Sequence, residues 1–168
     1  GPDKPFFDVY FENETTGFVV GAYNLIFATR DGGKSWVPWQ DHIQNPKGLH
    51  LYGIRASRGE IYIAGEQGGF WRFLGGANSF WALATPYKGS YFGLLAGRSG
   101  ELVVFGLRGN AYWSGDEGEN WRKIDTGTTD SVTAGTELSD GSLLVVTKGG
   151  TVLASDDKAC GGDDQATD

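Results

Sequence analysis

The stretch Thr29-Arg30-Asp31-Gly32-Gly33-Lys34-Ser35-Trp36 returns later in the chain as Ser114-Gly115-Asp116-Glu117-Gly118-Glu119-Asn120-Trp121. Both copies read [S/T]-x-D-x-G-x-x-W, and each residue type has a use in a tight hairpin. The Asp carboxylate accepts backbone N–H groups within the turn, and the Gly takes a positive φ at which a Cβ would clash. The Ser or Thr hydroxyl adds a further local hydrogen bond. The Trp opens the outgoing strand, where its apolar face can fold under the hairpin and bury. One copy would be weak evidence. Two copies inside a longer repeat decide the fold.

The longer repeat is anchored on a short apolar strand that ends in a small residue and a polar, Gly-containing turn. Its four occurrences are Gly17-Phe18-Val19-Val20-Gly21, Ile61-Tyr62-Ile63-Ala64-Gly65, Leu102-Val103-Val104-Phe105-Gly106 and Leu143-Leu144-Val145-Val146-Thr147, with ends 44, 41 and 41 residues apart. Trp36, Trp81 and Trp121 keep nearly the same period. About 40 residues with four short strands each is the pattern of β-propeller blades. The expected strands are 7–11, 17–21, 25–30 and 36–40 in the first blade, and 51–55, 60–65, 69–73 and 80–84 in the second. The third blade has 91–96, 102–106, 110–114 and 121–125, and the last has 132–137, 143–147 and 151–155 with no fourth strand. Blade limits fall at about 7–47, 48–88, 89–129 and 130–157, within one repeat region 6–157. Ser155-Asp156-Asp157 starts the motif again, but Ala159 stands where the Gly belongs and no Trp follows. Residues 158–168 are small, polar and acidic and read as a flexible tail.

Composition agrees with an all-β chain. The 168 residues include 28 Gly, 14% aromatics and no Met, which suits many short strands joined by tight turns. No apolar stripe runs at helical spacing, and no apolar run approaches the roughly 20 residues of a membrane span. A net charge of −7 argues against a phosphate-backbone partner, so no nucleic acid is expected. Cys160 is the only cysteine, without an internal disulfide partner or ligand-spaced neighbours for zinc. Gly1-Pro2 reads as a protease scar, and no signal peptide opens the chain.

The two motif turns, the period and the Gly-rich second turns resemble the BNR/Asp-box propellers, most of all the photosystem II assembly/stability-factor-like proteins and their bacterial relatives. The resemblance covers residues 6–157. It implies a non-enzymatic, extracytoplasmic (periplasmic or lumenal) binding scaffold for a protein partner such as a membrane-protein assembly intermediate, without direct membrane insertion, usually with about seven blades. Four repeats depart from that number. A closed four-bladed ring, an arc of a longer propeller and two chains completing one ring all stay open. An oligomeric or incomplete ring ranks above the closed monomer, because isolated repeats leave exposed edges.

In a blade, the turns joining strand two to three share one face of the disc with the links between blades. That axial face would gather Tyr23, Asn24, Glu66, Gln67, Arg108, Asn110 and Lys148, with Tyr87 and Lys88 from the following link. These are the expected binding residues. Thr29, Asp31, Gly33, Trp36, Ser114, Asp116, Gly118 and Trp121 lie on the opposite face and are expected to be structural. No catalytic residue, metal ligand or cofactor is assigned. The alternative is a sialidase-like glycoside hydrolase or a lectin-like propeller. Hydrolysis normally requires two opposed carboxyl groups, however, and Glu66 is the one carboxylate expected at the axial turns. Sialidases also converge three arginines, whereas Arg55, Arg58 and Arg98 belong to the other face.

Four smaller features have plain readings. His42 and His50 read as solvated loop histidines. Asp156, Asp157, Asp163 and Asp164 lack the spacing of a calcium loop. Asn13-Glu14-Thr15 matches a glycosylation acceptor triplet that also arises by chance. Phe70, Trp71, Phe73, Phe80 and Trp81 read first as core, and second as a partner or self-association surface.

Overall fold

The computed structural model describes residues 3–155, in which fifteen strands form four separate antiparallel sheets. Blade 1 holds β1 (Phe6–Phe11), β2 (Gly17–Gly21), β3 (Ile26–Thr29) and β4 (Val37–Pro38). Blade 2 holds β5 (Leu51–Ser57), β6 (Glu60–Gly65), β7 (Phe70–Leu74) and β8 (Ser79–Ala82). Blade 3 holds β9 (Tyr91–Ala96), β10 (Leu102–Gly106), β11 (Ala111–Ser114) and β12 (Arg122–Ile124). Blade 4 has three strands, β13 (Val132–Glu137), β14 (Leu143–Thr147) and β15 (Val152–Ala154). In each sheet the strands follow one another in chain order, as hairpin after hairpin requires. The expected tail 158–168, Cys160 and the decayed motif at Asp156 and Asp157 lie outside the described residues.

Successive innermost strands pack β1 on β5, β5 on β9 and β9 on β13. The blades therefore fan around one axis. Side chains alternate along each strand, so each middle strand supplies one set of residues to the preceding blade and one to the next. Ile54, Ile63 and Trp71 face back to Phe18, Val20 and Ile26 of blade 1. Tyr62, Ala64 and Phe70 face forward to Leu94, Leu102 and Val104 of blade 3. Leu95, Val103 and Phe105 in turn meet Val132 and Leu143 of blade 4. Both faces of the second strands are buried in blades 2 and 3, which is why these strands read as continuous apolar runs.

Burial also decides between ring and arc. The described residues contain three inter-blade cores for four blades, whereas a closed ring would have four. The outward faces of blades 1 and 4 are open to solvent, with Val9 53% and Val152 62% exposed. The described residues form an arc.

Polar staples join the same neighbours. Asp8 accepts the Ile54 N–H at 2.9 Å and pairs with Arg55 at 2.5 Å. Arg98 pairs with Glu137 at 2.5 Å, and Arg72 reaches Glu117 at 3.0 Å. The Arg58 guanidinium donates to the Ser99 carbonyl at 3.1 Å. The arginines of the non-axial face thus hold blades together.

The aromatic cluster of blade 2 divides between both readings. Phe70, Trp71 and Phe80 are buried, while Phe73 is half-buried against the first core. Trp81 is exposed. The turn before it, closed by the Ala77 N–H on the Leu74 carbonyl at 3.1 Å, lacks an Asp carboxylate and so gives this indole no motif turn to fold back on.

Candidate functional site

The repeated motif is spent on its own turn. The Asp31 carboxylate accepts the Ser35 N–H at 2.9 Å, the Ser35 hydroxyl at 2.6 Å and the Thr29 hydroxyl at 2.9 Å. Asp116 repeats this with Asn120 N–H at 2.8 Å, Asn120 Nδ2 at 2.7 Å and the Ser114 hydroxyl at 2.9 Å. Donation by the Ser35 hydroxyl, then by its N–H, holds Asp31 down at about 2, and Asn120 lowers Asp116 in the same way. The hydroxyls of Thr29 and Ser114 accept the N–H of Gly33 and Gly118, each at 2.9 Å. Each indole folds back over its turn, Trp36 Nε1 donating to Gly33 O at 3.1 Å and Trp121 Nε1 to Gly118 O at 3.0 Å.

The opposite end of the strands is different. There, strands two and three of blades 1 to 3 are joined by two-residue turns in which both central residues have φ > 0. The pairs are Tyr23-Asn24, Gln67-Gly68 and Arg108-Gly109, with φ of 53°, 55° and 57° at the first residue of each. The turn closes by Leu25 N–H on Ala22 O at 3.0 Å, Gly69 N–H on Glu66 O at 3.0 Å and Asn110 N–H on Leu107 O at 3.2 Å. Such primed turns match strand twist and ordinarily carry Asn, Asp or Gly at both positions. Tyr, Gln and Arg stand instead at the first position, in a backbone region costing an L-residue about 1–2 kcal/mol. All three side chains are exposed. Blade 4 contributes exposed Lys148 at the equivalent place, through a turn without φ > 0 at Lys148.

Beside this rim lies a row that sequence reasoning missed. Each innermost strand has a register shift at its axial end, between Phe6 and Asp8, Leu51 and Gly53, Tyr91 and Gly93, and Val132 and Ala134. A bulge leaves one residue unpaired and re-aims its side chain. Those residues are Phe7, Tyr52, Phe92 and Thr133. The first three form a continuous aromatic row, Phe7 to Tyr52 at 5.2 Å and Tyr52 to Phe92 at 5.3 Å between ring centroids. The signal was present as an aromatic two residues before Val9, Ile54 and Leu94, but only the bulge shows that it leaves the alternation.

His50 ties the row to the rim. Its Nδ1 accepts the Tyr23 N–H at 2.8 Å, its ring stands edge-on to Tyr23 at 4.5 Å, and the His50 backbone N–H donates to Glu66 Oε2 at 3.1 Å. The His50 ring is therefore fixed rather than loosely solvated as expected. His42 is fixed too, stacked on Trp39 at 4.2 Å with Nδ1 2.8 Å from the Asn78 carbonyl oxygen. The two histidines serve different places. Burial, with the Glu66 charge adding to it, raises the Tyr52 phenol above its ordinary value of 10.0.

The other expected binding residues divide. Lys88 is exposed. Tyr87 leans on the second core beside Tyr91 and Tyr112, and Asn110 donates to Leu107 O at 2.9 Å within its own turn. Asn24 accepts from the buried Asn45 amide at 2.9 Å, which anchors the link between blades 1 and 2. Glu66 is not the only carboxylate here, because Asp130 from the last link packs against Gly149, next to Lys148. Among the described residues no three His, Cys, Asp or Glu side chains gather as metal ligands, and no helix is long and apolar enough to cross a membrane.

Comparison with known proteins follows the fold. Residues 2–69 match the family model described as photosynthesis system II assembly factor YCF48. A photosystem II assembly lipoprotein Ycf48 from Synechococcus sp. (strain CC9902) is 27% identical over 151 residues, covering 88% of this chain and 45% of the relative. A solved structure of YCF48 bound to a D1 peptide superposes with a TM-score of 0.69 at 20% identity, over 86% of this chain and 47% of that one. An ancestral GH74 enzyme superposes with a TM-score of 0.68 at 15% identity, over 89% of this chain and 25% of its own, so the fold is shared with enzymes. The chain spans about half the length of the YCF48 proteins it matches. Fold, motif turns and matches together make this chain an Asp-box β-propeller arc similar to the photosystem II assembly factors.

Proposed function

We propose that the axial end of the arc is a protein-binding surface of a non-enzymatic, extracytoplasmic assembly scaffold, and that it holds an extended segment of a partner protein. One observation carries this reading: Tyr23, Gln67 and Arg108 are exposed, at equivalent turns of three successive blades, in left-handed positions where Asn or Gly would be cheaper. Large side chains kept at a conformational cost point to a use outside the fold. The aromatic row Phe7-Tyr52-Phe92 supplies apolar contact beneath them, and Arg108, Lys148 and Lys88 supply cations for a carboxylate on the partner. Similarity to a YCF48 that binds a D1 peptide supports a peptide as the class of ligand.

The test is fluorescence anisotropy with overlapping peptides spanning D1. Tyr23→Asn and Arg108→Asn are expected to weaken binding of the best peptide tenfold or more, with thermal stability unchanged or raised because the turn is relieved. Unchanged binding in both variants, or no peptide bound by the wild-type chain, defeats the proposal. A second reading rests on the aromatic row, on which sugar rings can also stack. Glycan-array binding abolished by Tyr52→Ala would favour a lectin. Turnover of fluorogenic glycosides that disappears in Glu66→Gln would favour a hydrolase.

A further inference from the structure

Every interface inside the arc pairs the forward face of one blade with the backward face of the next. Val20, Ala64 and Phe105 occupy the same forward position on successive second strands, and Ile63 and Val104 the same backward one; all are at most 2% exposed. Among the described residues, two faces lack such a neighbour. The backward face of blade 1 presents Phe6, Val9, Phe11, Val19 and Phe27, with Val9 paired to Val19 and Val19 to Phe27. The forward face of blade 4 presents Ala134, Thr136, Leu144, Val146 and Val152, with Ala134 paired to Val146 and Val146 to Val152. No charged side chain stands at these ten positions, in a chain that is 21% charged. Apolar sheet faces of this kind are not left to water without reason.

The two faces also differ in relief. The first carries rings standing edge-on, Phe6 on Phe27 and Phe11 on Trp36, each pair at 6.0 Å. The second carries no ring: Ala134, Thr136, Val146 and Val152 are small or β-branched, and Leu144 is its one larger aliphatic side chain. Bulky knobs on one and a low surface on the other suit each other, as large and small residues do across a packed layer. Within one arc these faces lie at opposite ends and cannot meet.

We propose that a second copy of this chain covers both faces, the backward face of blade 1 in each copy packing on the forward face of blade 4 in the other. Head-to-tail contact made twice closes two arcs about a two-fold axis, leaving no blade end exposed. The occupant follows from the interface rule already used three times inside the arc. The axial turns and the aromatic row would then continue around a ring of eight blades, and this inference does not depend on what those residues bind.

Sedimentation equilibrium over a wide concentration range tests it. The wild-type chain is expected at twice its 18.1 kDa monomer mass. Val9→Glu and Val152→Glu, both at positions more than half exposed, should each halve that mass while near-UV circular dichroism is unchanged. Thr136→Arg, also exposed, provides an independent block of the second face. Mixing Val9→Glu with Val152→Glu restores one intact interface, so a heterodimer is expected where neither variant associates alone. A monomeric wild-type chain overturns the proposal. So does a dimer that survives Val152→Glu, which would mean blade 1 packs on blade 1, or a polymer that grows with concentration instead of stopping at two.

Discussion

Replacing Gly33 and Gly118 by alanine compares one motif turn at the open end of the arc with its equivalent inside it. Both glycines have φ of +89°, so alanine suffers the same backbone penalty of about 1–2 kcal/mol in each. Their surroundings differ. A Cβ on Gly33 would lie 3.5 Å from the nearest atom, on its own turn's Trp36, which is ordinary contact. A Cβ on Gly118 would lie 2.8 Å from Phe70 Cε2 and 3.4 Å from Leu83, both on the preceding blade. Phe70 is 1% exposed, stacked on Tyr62 at 5.6 Å and edge-on to Trp121 at 5.1 Å, so it has little room to retreat. Overpacking of this kind costs about 1–3 kcal/mol more. Gly118→Ala should therefore destabilise by about 2–5 kcal/mol against about 1–2 for Gly33→Ala, with about 2–4 °C in Tm for each kcal/mol. Urea unfolding followed by tryptophan fluorescence measures both, in a Val152→Glu background so that association does not contribute. Adding Phe70→Leu should return part of the Gly118→Ala loss, a coupling that a double-mutant cycle isolates. Equal destabilisation by the two alanines, or no coupling to Phe70, would refute the claim that blade 3's turn is wedged against blade 2 while blade 1's turn faces solvent.

Other consequences are simpler to read. Asp8→Ala removes the acceptor of the buried Ile54 N–H and should cost about 1–3 kcal/mol in chemical denaturation, with Asp8→Asn costing less; a loss below about 0.5 kcal/mol would discount this staple. Trp71→Phe should cost about 1–3 kcal/mol, because the indole N–H holds the link between blades 1 and 2 through the Gln44 carbonyl at 2.7 Å. Trp113→Phe should cost less than Trp71→Phe in the same denaturation, since its buried Nε1 has no hydrogen-bond partner and the losses are some packing on the third core and the contact with Arg122 at 4.8 Å. Acid stability should follow the motif carboxylates. Their folded pKa values are depressed, so their stabilisation is present above the ordinary carboxylate value of 3.8 and is lost as pH falls below it, for Asp31 toward about 2. The Asp31→Asn, Asp116→Asn double variant should show a flatter stability curve between those pH values, measured by thermal melts; a curve parallel to wild type would contradict the turn geometry.

Much of the fold was legible because its signals are local. The second strands 17–21, 60–65, 102–106 and 143–147 sit where the apolar runs placed them, and the motif turns use Asp, Gly and hydroxyl as their chemistry requires. Tyr23, Gln67, Arg108 and Lys148 were legible too, since repeat equivalence and strand alternation put them on one face. The bulge residues Phe7, Tyr52 and Phe92 were not, because a bulge breaks the two-residue period on which face assignment depends. His50 was misread for a related reason. Its ring is held by Tyr23, 27 residues earlier, a contact no spacing rule anticipates.

By itself the sequence determined the blade, since a blade is made of neighbouring hairpins whose turn chemistry and apolar periodicity are short-range. It also determined that four such units follow one another. Whether they close was settled only in three dimensions, where curvature depends on how large side chains seat between successive sheets. The same packing sets what each identical position experiences: Ile63 and Val104 are fully buried, while their equivalent Val19 remains half-open to solvent. Identical motifs thereby acquire different meanings, as Gly33 and Gly118 do, because the preceding blade is present for one and absent for the other.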